Sequence, residues 1–401
     1  VNQENNNKRK MSLSISARSQ GIVQSEIRNM SIECDRINGI NLSQGICDLG
    51  VPPAVLQGAQ EAIRSGANHY TRYDGYSQLR KAISKKLLQY NHIHLDPETD
   101  IIVSAGTTGS FYCACMALLN PGDEVIIFEP YYGYHINTLL AVDAVPVYVP
   151  LHPPDWSFSP DDLEKVITPR TKGIMINTPA NPSGKIFTRN EIEQIAEIAS
   201  KRQIFVFTDE IYEYFIYDGQ GHISPGSIPL IADQTISISG YSKTFSITGW
   251  RVGYSACNVK WAQMIGYIND LIYVCAPSPL QLGVAKGITD LSPEFYTGIS
   301  NQYQAKRDKL CWTLSDIGIL PFIPQGAYYI LADVSRVPGN SSRQKAMNIL
   351  EHSGIATVPG EAFYSGDGGQ NLVRFCFAKE DTIIDEACER LNNFGSYLSG
   401  K

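Results

Sequence analysis

Through the middle of the chain, short apolar runs recur between stretches of helical spacing. They are 101–103 (IIV), 125–128 (VIIF), 174–176 (IMI), 204–207 (IFVF) and 235–239 (TISIS). The runs are short and rich in β-branched or aromatic residues, so each is expected to be a strand buried on both faces. Such strands, separated by helices, predict an α/β fold with a mostly parallel sheet between helical layers. In open sheets of this kind ligands bind beyond the carboxyl ends of the strands. The residues that directly follow the runs are therefore where chemistry is to be sought.

Helix signals fill the intervals. Pro53–Arg64 places Val55, Leu56, Ala59, Ala62 and Ile63 on one stripe, and 77–90 keeps Leu79, Ile83 and Leu87 in phase. Residues 21–36 show mixed helical spacing, and a short strand is expected over 40–45. Ser159 followed by Pro160 marks a helix start, and Thr188 with Glu191 forms a capping box that opens a helix to Arg202. From Ser292 the pattern changes. A long helix to about Leu314 is followed by a strand over 324–331, a helix over 346–352, a turn at 358–360, a strand over 372–377 and a last helix. This less regular alternation predicts a smaller α+β lobe.

With 401 residues the chain exceeds the usual single domain. The expected division is a disordered tail (1–20), an N-terminal segment joining the small domain (21–45), a large domain (46–291) and a small C-terminal domain (292–401). The start, VNQENNNKRK, is polar and no apolar run follows, so no signal peptide is expected; Met11 is one candidate start, an appended 1–10 the alternative. No stretch is apolar enough to span a bilayer, and a net charge of −7 argues against a nucleic-acid partner. Nine cysteines without a Cys-x-x-Cys pair read as buried thiols in a reducing compartment, hence cytoplasmic. The seven histidines do not cluster by spacing, and no metal is expected.

The run 235–239 ends in a Gly–Tyr–Ser turn that delivers Lys243, and Arg251 follows eight residues later. Lysine forms Schiff bases with carbonyls when its surroundings lower its proton affinity. Lys243 is therefore a candidate to carry an aldehyde cofactor, with Ser242 and Arg251 on the cofactor's phosphate. Taken alone, a lysine is more often an exposed one. The remaining motifs decide.

SGYSKTFSITGWRVGY (239–254), NTPANPSG (177–184), TDEIY (208–212), GTTGS (106–110) and LVRF (372–375) together resemble the pyridoxal-phosphate-dependent aminotransferases of class I/II, fold type I, like aspartate aminotransferase. The resemblance covers nearly the whole chain. It implies pyridoxal 5'-phosphate as cofactor and Lys243 as the Schiff-base lysine, which also moves the proton between the substrate's α-carbon and C4′ of the cofactor. Asp209 corresponds to the acid on the pyridine nitrogen; read alone, it could equally start a helix. Tyr212 and Asn181 correspond to the pair on the phenolic oxygen, with the Asn181–Pro182 bond expected cis, as in the family. Gly106, Thr107 and Thr108, at the N-terminus of the next helix, with Ser242 and Arg251, would bind the phosphate. Some relatives carry a serine where this chain has Gly240. Tyr132 corresponds to the aromatic that stacks on the cofactor ring. Tyr70 corresponds to a tyrosine that crosses to the other subunit's phosphate, implying a homodimer. Arg374 and Gly45, with Asn181, correspond to the substrate-carboxylate site.

The implied reaction is transfer of an amino group from an L-amino acid to a 2-oxo acid in two half-reactions. Aspartate-using bacterial relatives often carry a lysine near the position of Thr108; the loop here has no basic residue. Tyr70, Tyr73, Tyr132 and Tyr328 suit an aromatic or neutral donor, with aspartate still a candidate. A carbon–sulfur or other lyase using the same cofactor, and a regulator on a relict fold, are alternatives. A nicotinamide-dependent dehydrogenase would need a glycine fingerprint that is missing.

Overall fold

The computed structural model describes residues 13–22, 24–47 and 50–400. Met11 and the first part of the expected tail lie outside the described residues. Within the rest of that tail, Ala17–Gln20 forms a helical turn, and the Arg18 guanidinium pairs with Asp143 at 2.8 Å. That partner is far away in sequence, which is why composition alone suggested disorder.

Strand β1 is Ile40–Asn41. The central sheet contains β2 (Ile101–Ser104), β3 (Glu124–Glu129), β4 (Val145–Pro150), β5 (Thr171–Asn177), β6 (Phe205–Asp209), β7 (Thr235–Gly240) and β8 (Gly253–Ala256) in the order β2-β8-β7-β6-β5-β3-β4. Neighbours from β7 to β4 pair in parallel, and β8 runs antiparallel to both β7 and β2. The continuous apolar runs have the predicted cause. Val125 and Ile127 of β3 face one helical layer with Met175, Phe207 and Ile236, while Ile126 and Phe128 face the other with Ile174, Ile176 and Val206. Both faces of β3 and β5 are dry, so these strands do not alternate; β7 does, with Ile236 and Ile238 in one apolar layer and Ser239 bonded to Glu213 on the other side.

Two strands of the large sheet escape the sequence pattern. Pro146 and Pro150 hide β4, yet β4 is the sheet edge, where a missing N–H costs no ladder bond. Strand β8 is four residues long and opens with a glycine. The helix Gly133–Ala141, between β3 and β4, was not expected either.

The second sheet is antiparallel: β9 (Leu320–Phe322), β10 (Tyr329–Asp333), β12 (Val358–Pro359) and β13 (Leu372–Cys376), in the order β12-β13-β10-β9, while β11 (Ile355–Ala356) pairs in parallel with β1. Leu331, Val358, Phe363 and Leu372 of this part join the core on one face of the central sheet. Three expected elements are shorter than the spacing implied. Strand β1 ends at Asn41 because its side-chain oxygen accepts from the N–H of Ser43 at 3.0 Å, turning the chain. The strand expected over 324–331 begins only at Tyr329; Ala327 before it has φ 58°, a left-handed bend. The helix expected over 77–90 is α-helical as Ser77–Lys86 and then widens into a π-turn, Leu87–Asn91, ended by left-handed His92.

Two buried acids fix the segment after β6. Glu210 accepts from Thr208 Oγ1 at 2.6 Å and Ser224 Oγ at 3.0 Å, and meets His222 Nε2 at 2.7 Å. Burial opposes its charge, but His222 and the two hydroxyls hold its carboxyl below the usual range. Glu213 accepts from Asn91 at 2.9 Å and Ser239 at 3.0 Å, and pairs with buried Lys86. The fold thus gathers His222, Glu210 and Glu213 within 4.8 Å of one another, a grouping that sequence spacing did not suggest. Lys86 lies against Glu213 there, so the group already has its cation. Among the described residues no helix is long and apolar enough to cross a membrane.

Candidate active site

The register pairs Asn177 with Asp209 and Asp209 with Ile238, so β5, β6 and β7 end along one edge. Beyond that edge lies a cavity of about 430 Å³, lined among others by Thr107, Tyr132, Asn181, Asp209, Tyr212, Ser242, Lys243 and Arg251.

Lys243 rises from the turn after β7. Its Nζ donates to the Gly45 carbonyl at 3.0 Å and lies 5.8 Å from the Tyr328 ring centre. Burial pushes its amine below the ordinary lysine value, against the opposing pull of the Cys47 and Cys376 thiols. An amine that loses its proton this readily can act as a nucleophile.

Asp209 ends β6 at the floor of the cavity. No helix starts after it, so the helix-cap alternative falls. One carboxylate oxygen lies 3.0 Å from His135 Nε2, and the other accepts from the N–H of Ile211 at 3.3 Å. His135 is itself packed edge-on against Phe111 and Tyr132. The Asp209 carbonyl accepts from Asn177 Nδ2 at 3.0 Å.

Above this floor, Tyr212 Oη meets Tyr329 Oη at 3.0 Å. Burial, reinforced by Tyr329, keeps the Tyr212 hydroxyl protonated well above the ordinary range. Asn181 follows β5, and its bond to Pro182 is cis, as expected. Arg374, fully buried on β13, donates to Asn181 Oδ1 at 2.8 Å and to the Ser43 carbonyl, and its guanidinium lies 4.1 Å from the Tyr329 ring centre. Among the described residues its Nε is buried without a partner, an orphan donor of the kind that marks a binding site. A Cβ on Gly45 would sit 1.9 Å from Tyr329 Oη, so only glycine fits that wall.

At the other side, Gly106, Thr107 and Thr108 are not a loop before a helix but the first turn of the helix Gly106–Leu118 itself. Their N–H groups have no intrahelical acceptor and form an anion-binding end. Arg251, left-handed at φ 54°, donates to the Thr248 carbonyl at 2.9 Å and the Ala105 carbonyl at 3.3 Å. A Cβ on Gly106 would lie 2.4 Å from Arg251 Nη2, and one on Gly253 would lie 2.6 Å from the Gly106 carbonyl carbon. At Gly240, where some relatives carry serine, a Cβ would meet Gly253 Cα at 3.0 Å. A serine there would fit only if β8 gave way by a few tenths of an ångström.

Together, these residues place an anion cup, an amine and a carboxylate around one cavity, with a buried guanidinium behind Asn181. A flat heteroaromatic ring bearing a phosphate, an aldehyde and a basic ring nitrogen matches that donor set. Tyr70 stands apart: it is 82% exposed and does not line the cavity of its own chain. Sequence reasoning missed His135, Asn177, Thr248 and Tyr329. Asn177, at the end of a strand, carried a positional signal; His135 and Tyr329 carried none, because their partners are remote in sequence.

Comparison with known proteins adds lineage to this geometry. The profile of the family described as Aminotransferase class I and II matches residues 37–391. Kynurenine–oxoglutarate transaminase 3 of Rattus norvegicus is 33% identical over 393 residues, spanning 90% of this chain and 86% of that protein. Aromatic-amino-acid aminotransferase 2 of Thermococcus litoralis is 30% identical over 382 residues, spanning 94% and 97%. The structure of N-succinyldiaminopimelate aminotransferase from Mycobacterium tuberculosis superposes with a TM-score of 0.91 at 32% identity, covering 94% of this chain and 99% of that one.

Proposed function

This chain belongs to the class I and II aminotransferases, enzymes that use pyridoxal 5'-phosphate, and we propose that it moves the amino group of an aromatic or other neutral L-amino acid onto a 2-oxo acid. The observation that carries the donor class is the lining. Tyr132, Tyr134, Tyr329, Ile27, Ile46 and Ile211 face the cavity, and Asp209 is its one carboxylate among the described residues. An adjoining chamber of about 350 Å³ shares Tyr132 and Tyr134 and adds Tyr131, Ile136, Leu140 and Phe363. An uncharged ring or alkyl chain finds apolar walls there. The two curated relatives named above act, by their names, on kynurenine and on aromatic amino acids, which supports the same class.

Bound, the cofactor supplies an electron sink for the substrate's α-carbon. Lys243 Nζ would hold the cofactor's aldehyde carbon, and as a free amine it would carry the proton from the substrate's α-carbon. Asp209, oriented by His135, would keep a proton on the ring nitrogen. Tyr212 and Asn181 would donate to the phenolic oxygen; with Asn181 Oδ1 occupied by Arg374, its amide N–H₂ is the end left to donate. Tyr132 would lie against the ring. Gly106, Thr107, Thr108, Ser242 and Arg251 would hold the phosphate. Arg374, with Gly45, grips the α-carboxylate.

We also assign residues 46–291 to the large domain and 21–45 with 292–401 to the small one. Nine unbridged thiols fit the cytoplasm. A homodimer is supported by one face of the helix Val259–Tyr273, where Met264, Tyr267 and Leu271 stand exposed in succession. Tyr70 would then reach the partner's phosphate. Mixing Lys243→Ala with Tyr70→Phe subunits should recover about a quarter of wild-type turnover, because each mixed dimer regains one intact site. A Tyr70→Phe enzyme with full turnover would remove Tyr70 from the site, and no recovery despite verified subunit exchange would deny the crossing.

The donor class is tested by a panel. Phenylalanine, tyrosine, kynurenine, methionine and aspartate are offered with a 2-oxo acid, while ammonia and pyruvate release are followed in parallel. Amino transfer should be fastest from the aromatic donors. Aspartate as the best donor would overturn the donor class, and ammonia release without an oxo acid would mark a lyase.

A further inference from the structure

Tyr329 stands between two parts of the site that have separate tasks. It opens β10 opposite Cys376 of β13 and is 2% exposed. Its ring lies against the Arg374 guanidinium and stands at 84° to the Tyr212 ring, centres 5.8 Å apart. Its hydroxyl occupies the space that a side chain on Gly45 would need. Packed on these sides, the hydroxyl comes to rest 3.0 Å from Tyr212 Oη.

That distance leaves either oxygen free to be the donor, and a count of protons decides between them. Three hydroxyls meet here, each with one proton to give. Tyr328 Oη donates to the Gly45 carbonyl at 3.0 Å. Tyr212, in the role given above, donates to the cofactor's phenolic oxygen. The bond between Tyr212 and Tyr329 is then left for Tyr329 to donate. Acidity points the same way. Burial pushes both hydroxyls up, but Tyr329 only to about 12, with Arg374 opposing the rise, whereas Tyr212 goes well above the ordinary range. The more acidic of two hydroxyls is the better donor.

We propose that Tyr329 is a positioning residue whose hydroxyl donates to Tyr212 Oη, so that Tyr212 directs its single proton at the cofactor's phenolic oxygen. This rests on the assignment of Tyr212 to that oxygen. A hydroxyl that accepts one hydrogen bond donates a stronger one. Donation draws charge from the phenolic oxygen, which then holds a proton on the Lys243 nitrogen less firmly. Tyr329 thus keeps that nitrogen's titration low by acting through Tyr212. The other ionisable groups that face Tyr329 are Tyr132, ahead of the helix Gly133–Ala141, Tyr328 beside it, and Arg374 and Cys376 on β13. Removing the one hydroxyl leaves all of them in place.

The test is a pH titration of the bound cofactor's visible absorbance, which follows protonation of the Lys243 nitrogen. It is run on the wild-type holoenzyme, on Tyr329→Phe, on Tyr212→Phe and on the double variant. Tyr329→Phe keeps the ring against Arg374 and removes only the hydroxyl. Tyr212→Phe should raise the midpoint by more than about one pH unit, and Tyr329→Phe by about half a unit, because the latter weakens a donor without deleting it. The double variant should titrate like Tyr212→Phe alone, the non-additivity of two groups in one chain of bonds. A midpoint that Tyr329→Phe leaves unmoved or lowers, while Tyr212→Phe raises it, overturns the relay and leaves the role of Tyr212 standing. An equal rise from Tyr329→Phe with and without the Tyr212 hydroxyl overturns it too, since Tyr329 would then act by another route. A midpoint that Tyr212→Phe itself fails to move would bring down both readings.

Discussion

Lys243→Ala is expected to abolish amino transfer, lowering turnover by about four orders of magnitude or more while the protein stays folded. The size of the loss follows from two duties falling on one nitrogen, attachment of the cofactor and movement of the α-proton; deleting a group with such duties leaves only binding behind. Retention of the fold follows from the local contacts. Among the described residues Lys243 Nζ donates only to the Gly45 carbonyl, and that carbonyl keeps a second donor, Tyr328 Oη, at 3.0 Å. No buried acceptor is orphaned by the change. Borohydride reduction of the wild-type holoenzyme, followed by peptide mass analysis, should place the label on Lys243, and the variant should take up none. Labelling at a different lysine, or near-normal turnover by a folded variant, would refute the assignment.

Asp209→Ala is expected to cut the proton-transfer step by roughly a thousandfold, the scale seen when an oriented charge is removed from a buried site. Cofactor retention should suffer less, because the phosphate cup and Lys243 are untouched. Exchange of the substrate's α-proton with deuterated solvent isolates this step, and absorbance of the bound cofactor reports retention. The variant also leaves His135 Nε2 without its carboxylate. Asp209→Asn keeps the shape and removes the charge, so it should lose nearly as much as alanine if charge is what matters. Exchange at close to the normal rate in either variant would count against the role.

Much of the central sheet could be read from sequence because burial on both faces leaves a strong mark. Runs such as IMI and VIIF cannot alternate when Val125 and Ile126 each meet a dry layer. The edge strand Val145–Pro150 left the opposite mark: its prolines are tolerated because one side has no partner. The local motifs named Lys243, Asp209, Asn181 and Arg251 because short turns deliver them. Tyr329 and His135 are functional neighbours through contacts spanning 117 and 74 positions, to Tyr212 and Asp209.

The reversed direction of Gly253–Ala256 has a consequence for how the site tolerates motion. Because this strand enters where its neighbours leave, the segment from Gly240 to Gly253, which carries Lys243, is a closed bend whose two ends are paired residues of adjacent strands. The amine and the guanidinium of Arg251 are thereby clamped to a common frame. Arg374 rides on the antiparallel sheet instead. Any rocking of one sheet on the other would re-aim the carboxylate grip while the seat beneath the ring stayed still.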